Sequence, residues 1–397
     1  MATPILSGNL KAALRSDVEP FHAMDILAMA NAMAAEGKDV VSLCVGQPGA
    51  PAPETALAAA RNALVSGKLG YTDAAGIPPF RRAVADHYFA QYGVEIPTER
   101  VFATTGSSAG FNLAFLAGFD AGDRIAIATP GYPAYRNIMR TLAIEPIEIE
   151  TNEETRWALT ANQIREAHNV TPLKGVLIAS PANPSGTMMQ PEALKEIVDI
   201  CEELGLWLIS DEIYHGLTYG DVTGIEEQTA LRYSDQTIII NSFSKYYCMT
   251  GWRIGWMILP QNLVRPVERI AQSMYISPPE LSQIAAVAAF EGKQQLQQVK
   301  AGYEENRLLL LEALPKLGFT DILPIDGAFY AYASVENITD DSMEFAKRVL
   351  RETGVAITPG LDFDPVRGPK YIRFSFAGTR SDIETAIERL GNWDGLE

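Results

Sequence analysis

Short apolar runs alternate with longer amphipathic segments through much of the chain. The runs VFATTG, RIAIATP, GVLIASP, LWLISDE and TIIINSFS begin at residues 101, 124, 175, 206 and 237. They are almost wholly apolar, as expected for strands that are buried on both faces. Between them lie segments such as PEALKEIVDICEELG, whose apolar residues recur near i, i+3, i+4 and i+7 and so predict helices. The alternation predicts an α/β fold with a mostly parallel sheet flanked by helices.

A different pattern begins near residue 285. The segment IAAVAAFEGKQQLQQVKAGYEENRLLLLEAL predicts one long helix. After it, GAFYAYASV, SMEFAKRVLRETG and YIRFSFA predict a smaller α+β unit. We therefore expect three parts: residues 1–45 form an N-terminal arm that packs on the small domain, residues 46–285 form the large domain, and residues 286–397 form the small C-terminal domain.

The composition favours a globular protein that acts away from membranes and nucleic acids. The 397 residues, 47% of them hydrophobic, can fill the cores of two domains. A net charge of −17 argues against general nucleic-acid binding, which needs clustered Lys and Arg. The N-terminal MATPILSGNLKAAL lacks a basic start followed by a long apolar stretch, and no uncharged apolar run approaches the ~20 residues that cross a bilayer. We expect a soluble, cytoplasmic protein.

The cysteines and histidines predict neither disulfides nor a metal site. The cysteines are odd in number and isolated, which is typical of reduced thiols: Cys44, Cys201 and Cys248. The histidines show no spacing typical of metal ligands: His22, His87, His168 and His215. We therefore expect free thiols and no bound metal.

A glycine and two serines follow the first apolar run. Gly106, Ser107 and Ser108 open the helical pattern AGFNLAFLAGF. Free backbone N–H groups and the helix dipole favour an anion at such a position, and ligands of open α/β sheets bind at the carboxyl ends of the strands. By itself the signal is weak, because Gly-Ser turns commonly just cap helices. The stretch matches neither the Walker pattern nor GxGxxG, so a nucleotide site is disfavoured.

A lysine closes the last of the five runs. Lys245 follows TIIINSFS, between Ser244 and two tyrosines, and Arg253 comes eight positions later. A lone lysine is normally a solvated surface residue, but the end of a buried strand is not the usual place for one. A partly desolvated amine has a lowered pKa and can form a Schiff base with an aldehyde. Arg253 and the hydroxyls of Ser242 and Ser244 offer charge-assisted recognition of a phosphate.

An aspartate closes the preceding run. Asp211 directly follows LWLIS. A buried carboxylate without a cationic partner is costly, so an N-cap or an internal salt bridge is the simplest explanation of this residue alone. Beside a Schiff-base lysine and a phosphate cradle, a protonated pyridine nitrogen is another possible partner, because that pairing makes the ring an electron sink. The residues alone leave these alternatives open.

Four motifs together resemble a known family. SPANPSG, DEIY, SFSKYYCMTGWRIGW and YIRFSFA, in this order and spacing, are similar to those of the class I/II pyridoxal-phosphate aminotransferases of fold type I. The resemblance runs from VGQPGAPAPE near residue 45 to YIRFSFAGTRSD near residue 380. Each motif is only moderately specific, but four in register are not expected by chance. The resemblance implies pyridoxal 5′-phosphate as the cofactor and a large domain followed by a small one.

The resemblance also implies the residues that act on the cofactor ring. Lys245 matches the lysine that holds the cofactor as a Schiff base and then moves the proton during the reaction. Asp211 matches the partner of the pyridine nitrogen. Asn183 and Tyr214 match the pair that hydrogen-bonds the ring oxygen. Tyr132, in TPGYP, matches an aromatic residue that stacks on the ring.

Two further groups of residues follow from the resemblance. The residues that match the phosphate cradle are Ser107, Ser108, Ser242, Ser244 and Arg253. Tyr71, in YTDAAG, resembles a tyrosine that reaches across a dimer interface to the neighbouring phosphate, so a homodimer is expected.

Arg373, in YIRFSFA, matches the arginine that binds the substrate α-carboxylate, with Gly46 and Asn183 beside it.

The chain departs from the family pattern at two places. The loop after Gly46 reads QPGAPAP, where many relatives carry an Asp-Phe pair after the proline. In the subgroup specific for dicarboxylic acids, an arginine precedes an Asn-Pro-Pro turn and binds the side-chain carboxylate. Here the aligned stretch is IAQSMYISPPE, with Gln272 at the nearest matching position and no basic residue before Lys293. Acidic donors therefore lack that particular arginine.

The expected activity is transfer of an amino group from an L-amino acid to a 2-oxo acid, with 2-oxoglutarate or pyruvate as the expected acceptor. One alternative is a β-eliminating C–S lyase, because the same fold and cofactor residues support that chemistry. A second is a cofactor-sensing transcription regulator, which needs a DNA-binding segment ahead of VGQPG. The residues before position 45 are too few and insufficiently basic for one.

Overall fold

The computed structural model describes residues 11–396, with the backbone alone at residues 221 and 222. The helices are α1 His22–Ala35, α2 Glu54–Ser66, α3 Pro78–Tyr92, α4 Gly106–Gly118, α5 Pro133–Thr141, α6 Ala161–Val170, α7 Pro191–Leu204, α8 Gly220–Thr223, α9 Gln261–Met274, α10 Glu280–Ala289, α11 Lys293–Lys316, α12 Ser342–Thr353 and α13 Arg380–Gly391. The strands are β1 Val41–Ser42, β2 Val101–Thr104, β3 Arg124–Thr129, β4 Glu145–Glu150, β5 Gly175–Ala179, β6 Trp207–Asp211, β7 Ile238–Ser242, β8 Gly255–Ile258, β9 Tyr330–Ser334, β10 Val355–Ala356, β11 Thr358–Pro359 and β12 Tyr371–Ser375.

A seven-stranded sheet forms the centre of the fold. Its strand order is β2-β8-β7-β6-β5-β3-β4. Strands β7, β6, β5, β3 and β4 are parallel, and β8 runs antiparallel to both β2 and β7. The five apolar runs are the strands β2, β3, β5, β6 and β7. The prediction of a mostly parallel sheet flanked by helices is confirmed.

Successive residues of β7 show why this sheet carries helices on both faces. Ile239 packs in a core with residues of α3, α7 and α10. Its neighbours Ile238 and Ile240 pack in a second core with residues of α4 and α9. Because side chains alternate between the two faces of a strand, a run of three isoleucines fills both layers at once.

The structure differs from the predicted elements at three places. Strand β4 has the sequence EPIEIE and lies at the sheet edge, so charged residues interrupt the apolar signal. Strand β8 is only four residues long, and it closely follows the 3-10 turn Thr250–Trp252 that ends at Arg253. The long helix predicted near 285–315 is two helices, α10 and α11, separated by a 3-10 turn at Phe290–Gly292. Gly292 lies so close to Pro53 that an added Cβ would be 2.5 Å from the Cβ of Pro53.

A smaller antiparallel sheet lies in the C-terminal part of the chain. Its strand order is β11-β12-β9, and β1 pairs in parallel with β10 in a separate two-stranded sheet. Residues of α1, α11, α12 and α13 share one core with this sheet. The domain boundaries at residues 46 and 285 stay a prediction, and the first ten residues of the predicted arm lie outside the described residues. No helix in the described part of the chain is long and apolar enough to span a membrane.

Candidate active site

A cavity of about 290 Å³ opens where the polar residues that follow β2, β5, β6 and β7 meet. The carboxyl ends of neighbouring parallel strands lie at one edge of a sheet, which explains why residues far apart in sequence converge here. Residues from the start of α1 and from β12 complete its lining. The predicted site residues that line it are Gly46, Ser107, Ser108, Tyr132, Asn183, Asp211, Tyr214, Ser244, Lys245, Arg253 and Arg373.

The amine of Lys245 faces this cavity. Its Nζ donates a hydrogen bond to the carbonyl oxygen of Gly46 at 2.6 Å, and it lies 5.9 Å from the ring centre of Tyr214. Removal from bulk water lowers the pKa of Lys245 to about 8, and the positive charges of Arg373 and Arg253 act in the same direction. An amine with this pKa is partly neutral near pH 7–8. The neutral amine is the form that attacks an aldehyde.

Asp211 lies at the end of β6 and is 3% exposed. Its carboxylate accepts hydrogen bonds from the Tyr135 hydroxyl and, at 3.0 Å, from the backbone N–H of Ile213. Burial raises the pKa of Asp211 to about 6, although these hydrogen bonds favour the charged form. Within the described residues Asp211 forms no ion pair, so the internal salt bridge considered from the sequence is absent there. The carboxylate is thus available to a cationic group in the cavity.

The start of α4 and Arg253 form a cradle suited to an anion. Thr105, the N-cap residue, makes no side-chain capping bond to the first turn of α4, which holds Ser107 and Ser108. Arg253 has a left-handed φ of 48°, and its Nη1 donates to the carbonyl oxygen of Thr250 at 2.9 Å. A Cβ added to Gly106 would lie 2.3 Å from Nη2 of Arg253, so only glycine leaves room for this guanidinium.

Two predicted site residues are not on the cavity surface. Ser242 is buried behind it, where its hydroxyl donates to Ser244 Oγ at 2.9 Å and accepts from the N–H of Ser244 at 3.0 Å. Tyr71 is 84% exposed and lies outside the lining of the cavity. Ser242 therefore supports Ser244, and within a single chain Tyr71 does not contribute to the cavity.

Arg373 lies on β12 and also lines the cavity. Its Nη1 donates to Asn183 Oδ1 at 2.8 Å and its Nη2 to the carbonyl oxygen of Cys44 at 2.8 Å. The guanidinium lies 4.2 Å from the ring centre of Tyr330 and 4.7 Å from that of Phe363. Its Nε is buried and has no hydrogen-bond partner among the described residues. A planar, oriented guanidinium with a free donor is suited to a carboxylate.

The residues predicted to contact a ring oxygen are engaged with protein partners. Asn183 accepts from Arg373, and the hydroxyls of Tyr214 and Tyr330 lie 2.8 Å apart. Burial raises the pKa of Tyr214 well above that of an exposed tyrosine and raises the pKa of Tyr132 to about 12. Both phenols therefore remain protonated at neutral pH and are able to donate hydrogen bonds.

Sequence reasoning missed several residues of the site. Tyr135 contacts Asp211, Tyr330 contacts Tyr214, and Phe21, Met24 and Gln47 line the cavity. Tyr135 could have been found, because it lies three residues after Tyr132 in YPAY at the start of a helix, which places both rings on one side. Gln47 directly follows the predicted Gly46, and the other three belong to segments that reach the site only through packing of the N-terminal and C-terminal parts.

Comparison with known proteins identifies the family. A model of the family described as aminotransferase class I and II matches residues 38–390. The chain belongs to the class I and II aminotransferases. The enzyme is 48% identical over 386 residues to the valine–pyruvate aminotransferase of Mycobacterium tuberculosis, covering 96% of this chain and 98% of that one.

Solved structures agree with this assignment. A crystal structure of an aminotransferase from Mycobacterium tuberculosis matches with a TM-score of 0.94 at 47% identity, covering 97% of this chain and 99% of that one. An aspartate aminotransferase from Thermus thermophilus with maleate matches with a TM-score of 0.88 at 30% identity, covering 96% of this chain and 98% of that one. This aminotransferase therefore moves an amino group from an amino acid to a 2-oxo acid.

Class I and II aminotransferases depend on pyridoxal 5′-phosphate, and the cavity of this enzyme suits that cofactor. The Gly106–Arg253 cradle is suited to the phosphate, and the unpaired Asp211 carboxylate to a protonated ring nitrogen. The amine of Lys245 has the lowered pKa that reaction with an aldehyde requires. The phosphate, the ring nitrogen and the aldehyde of the cofactor therefore each have a suitable partner among the described residues.

Proposed function

We propose that this aminotransferase acts on L-amino acids with uncharged, aliphatic side chains, such as valine, with pyruvate as the acceptor. The observation that carries the proposal is the charge of the cavity. Its cationic lining residues within the described chain are Lys245, Arg253 and Arg373. One serves the aldehyde, one the phosphate and one the α-carboxylate, which leaves none of the three for a second carboxylate. The similarity to a valine–pyruvate aminotransferase supports the same donor class.

We assign the proton transfer to Lys245. When bound, pyridoxal 5′-phosphate supplies a cationic ring that stabilises the electrons left on the donor carbon after proton loss. Lys245 would hold the cofactor through its amine, and the same amine would carry the proton of the donor carbon. A pKa of about 8 places this group near the operating pH, where an acid–base catalyst is most effective. Asp211 would keep the ring nitrogen protonated, and Tyr132 would pack on the ring.

The remaining site residues would hold the cofactor and the donor in place. Arg253, the first turn of α4 and Ser244 would hold the phosphate, with Ser242 behind Ser244. Asn183 and Tyr214 would donate hydrogen bonds to the ring oxygen. Arg373 binds the donor carboxylate next to Asn183 and the backbone of Gly46. Because Arg373 lies on the small sheet and Lys245 follows the large one, donor binding draws both parts together and excludes water.

The test is a single half-reaction, measured on the pure holoenzyme without an acceptor. L-Valine is expected to convert the cofactor to its amine form, with loss of the absorbance of the lysine-bound form, and added pyruvate restores it. L-Aspartate at the same concentration is the matched control and should react far more slowly. Equal reaction with L-aspartate would contradict the donor class. Release of ammonia from a β-substituted donor without an acceptor would favour the lyase instead.

We also propose a homodimer in which Tyr71 contributes to the partner's phosphate site. Tyr71 is exposed, and the loop that holds it is tied to the segment after α9 by bonds from Gly70 to Glu280 and from Thr72 to Ser277. Large apolar side chains are exposed in and near these two segments: Leu64, Val65, Leu69, Met274 and Ile276. Apolar surface of this kind is typical of an interface between subunits.

Mixed dimers test this arrangement. Tyr71→Ala and Lys245→Ala homodimers should each be impaired, the second completely. Exchanging subunits between the two should restore activity, because a mixed dimer pairs one intact Lys245 with one intact Tyr71. No recovery in dimers shown to be mixed by mass spectrometry would contradict a shared site. A monomer by light scattering would exclude it outright.

We propose a cytoplasmic location as well. The three cysteines are free and buried, as is typical of a reducing compartment. Fractionation of the source cells with an antibody to this chain checks the location, and recovery in an extracellular fraction would contradict it.

A further inference from the structure

The start of α1 forms one wall of the cavity. Phe21, Ala23 and Met24 line it, and we call these three residues the α1 wall. The ring of Phe21 packs edge-on against Tyr132, with the ring centres 6.0 Å apart. The α1 wall is apolar, so it is suited to contact an aliphatic side chain rather than a charged one.

The first turn of α1 is capped from the far end of the chain. Phe21, the N-cap residue, makes no side-chain capping bond of its own. Instead the carboxylate of Asp362 accepts from the N–H of His22 at 2.8 Å and from the N–H of Ala23 at 2.7 Å. Asp362 is 2% exposed, so water competes little for these bonds. A buried carboxylate thus caps the first turn of α1, which carries Ala23 and Met24 of the α1 wall.

The same region also holds the arginine that receives the donor carboxylate. Phe363, the residue after Asp362, lies against the guanidinium of Arg373. Cys44 makes a second connection, since its thiol donates to the carbonyl oxygen of Ala23 at 3.4 Å and its own carbonyl accepts from Arg373. The α1 wall and the carboxylate-binding arginine are therefore attached to one framework.

A third contact ties this framework to the cofactor side. The carbonyl oxygen of Asp362 accepts a hydrogen bond from Arg136 on α5. That helix begins directly after Tyr132, which also lines the cavity. The carboxylate and the carbonyl of Asp362 thus connect α1 with α5 on two sides of the cavity.

We propose that Asp362 is the positioning residue that sets the distance between the α1 wall and Arg373, and thereby determines which donor side chains the enzyme accepts. The inference rests on the proposed function, because Arg373 must hold the donor carboxylate. A donor fixed at its carboxylate presents its side chain at a set distance from Arg373. A wall held rigidly to the same framework selects side chains by size, whereas a loose wall contacts them only weakly.

The test compares Asp362→Asn with Asp364→Asn in the holoenzyme. Asp364 is a matched control, because it is equally buried and accepts bonds from Val366 and Arg367 but none from α1. Asp362→Asn keeps one acceptor oxygen but turns an NH2 group toward the other amide, so it should raise KM for L-valine about 10-fold, the change that corresponds to about 1.4 kcal/mol. In the same variant the ratio of kcat/KM for L-valine to that for L-alanine should fall. The change in kcat should be smaller than the change in KM, and the cofactor affinity should be unchanged.

Hydrogen exchange supplies a readout that does not depend on activity. The amides of His22 and Ala23 should exchange faster in Asp362→Asn than in Asp364→Asn. Faster exchange with unchanged KM and unchanged donor preference would overturn the proposal, as would unchanged exchange. If Asp362→Asn fails to fold, Met24→Ala tests the α1 wall instead. This substitution leaves the cap intact and shortens one wall side chain, so the donor preference should shift toward larger side chains. An unchanged preference would overturn the proposal. If the wild-type enzyme prefers L-aspartate, the proposed function fails, and the KM comparison with L-aspartate decides the positioning role.

Discussion

The hydroxyl of Tyr135 donates a hydrogen bond to the carboxylate of Asp211, at the base of the cavity. Both side chains are buried, and Asp211 has no ion-pair partner among the residues that the structure describes. The hydrogen bond favours the charged form of Asp211, in opposition to burial, which raises its pKa to about 6. Tyr135 therefore helps to keep a negative charge where a protonated ring nitrogen is expected.

Tyr135→Phe should weaken this charge and slow the enzyme. Losing a hydrogen bond to a charged group costs about 1.5–3 kcal/mol, so we expect kcat to fall about 10- to 100-fold. Since the lost bond lowers the pKa of Asp211, its removal raises that pKa, and the acid limb of the pH–rate profile should move to higher pH. Tyr219→Phe is the control, because its buried hydroxyl donates to Ala328 instead. An unchanged acid limb would contradict this role.

Lys245→Ala should abolish turnover while the protein stays folded. General acid–base catalysis alone contributes about 10²–10⁴-fold, and the covalent attachment is lost as well. After borohydride treatment, the mass of the wild type should include the cofactor and that of the variant should not. Circular dichroism checks the fold, and Lys293→Ala, which changes a lysine outside the cavity, is the control. Turnover retained by Lys245→Ala would overturn the assigned mechanism.

The lowered pKa of Lys245 predicts a distinctive pH dependence of its modification in cofactor-free protein. Only the neutral amine reacts, so the rate should rise with pH and level off above about 8 rather than continue toward the ordinary value of 10.5. Lys195 is the internal control, because its hydrogen bond to Asp199 raises its pKa. A short pulse of an amine-reactive reagent followed by peptide mass spectrometry measures both residues. Parallel profiles would contradict the prediction.

Gly106→Ala should weaken cofactor binding. The new methyl group would lie 2.3 Å from Arg253 Nη2, and the φ of +71° is unfavourable for alanine. A backbone conformation of this kind costs about 1–3 kcal/mol, so we expect the Kd for pyridoxal phosphate to rise about 10-fold or more. Gly302→Ala is the control, since in the described part of the chain an added Cβ at this position of α11 would meet no side chain and no other element within 4 Å. It should stabilise the protein by about 0.5–1 kcal/mol. Absorbance titration and thermal unfolding measure the two effects.

Much of the fold was predictable from local patterns. The five apolar runs are strands of one sheet. Strands that are buried on both faces need apolar residues at nearly every position, so the apolar runs alone indicate them. Strand β4 escaped prediction because its glutamates face partly exposed surroundings at the sheet edge. The break between α10 and α11 also escaped it, because it depends on the close approach of Pro53 to Gly292, and these residues are far apart in sequence.

The candidate site divides in the same way. The sequence determined the groups that end the strands, including Asp211 and Lys245, because a residue placed after a buried parallel strand must lie at the ligand-binding edge. Only the tertiary structure decided their partners: Tyr135 beside Asp211, the Gly46 carbonyl beside Lys245, and Asp362 capping α1 across 340 positions. Local patterns carry no information on such contacts, since they form only when separate elements pack together and buried polar groups must find partners.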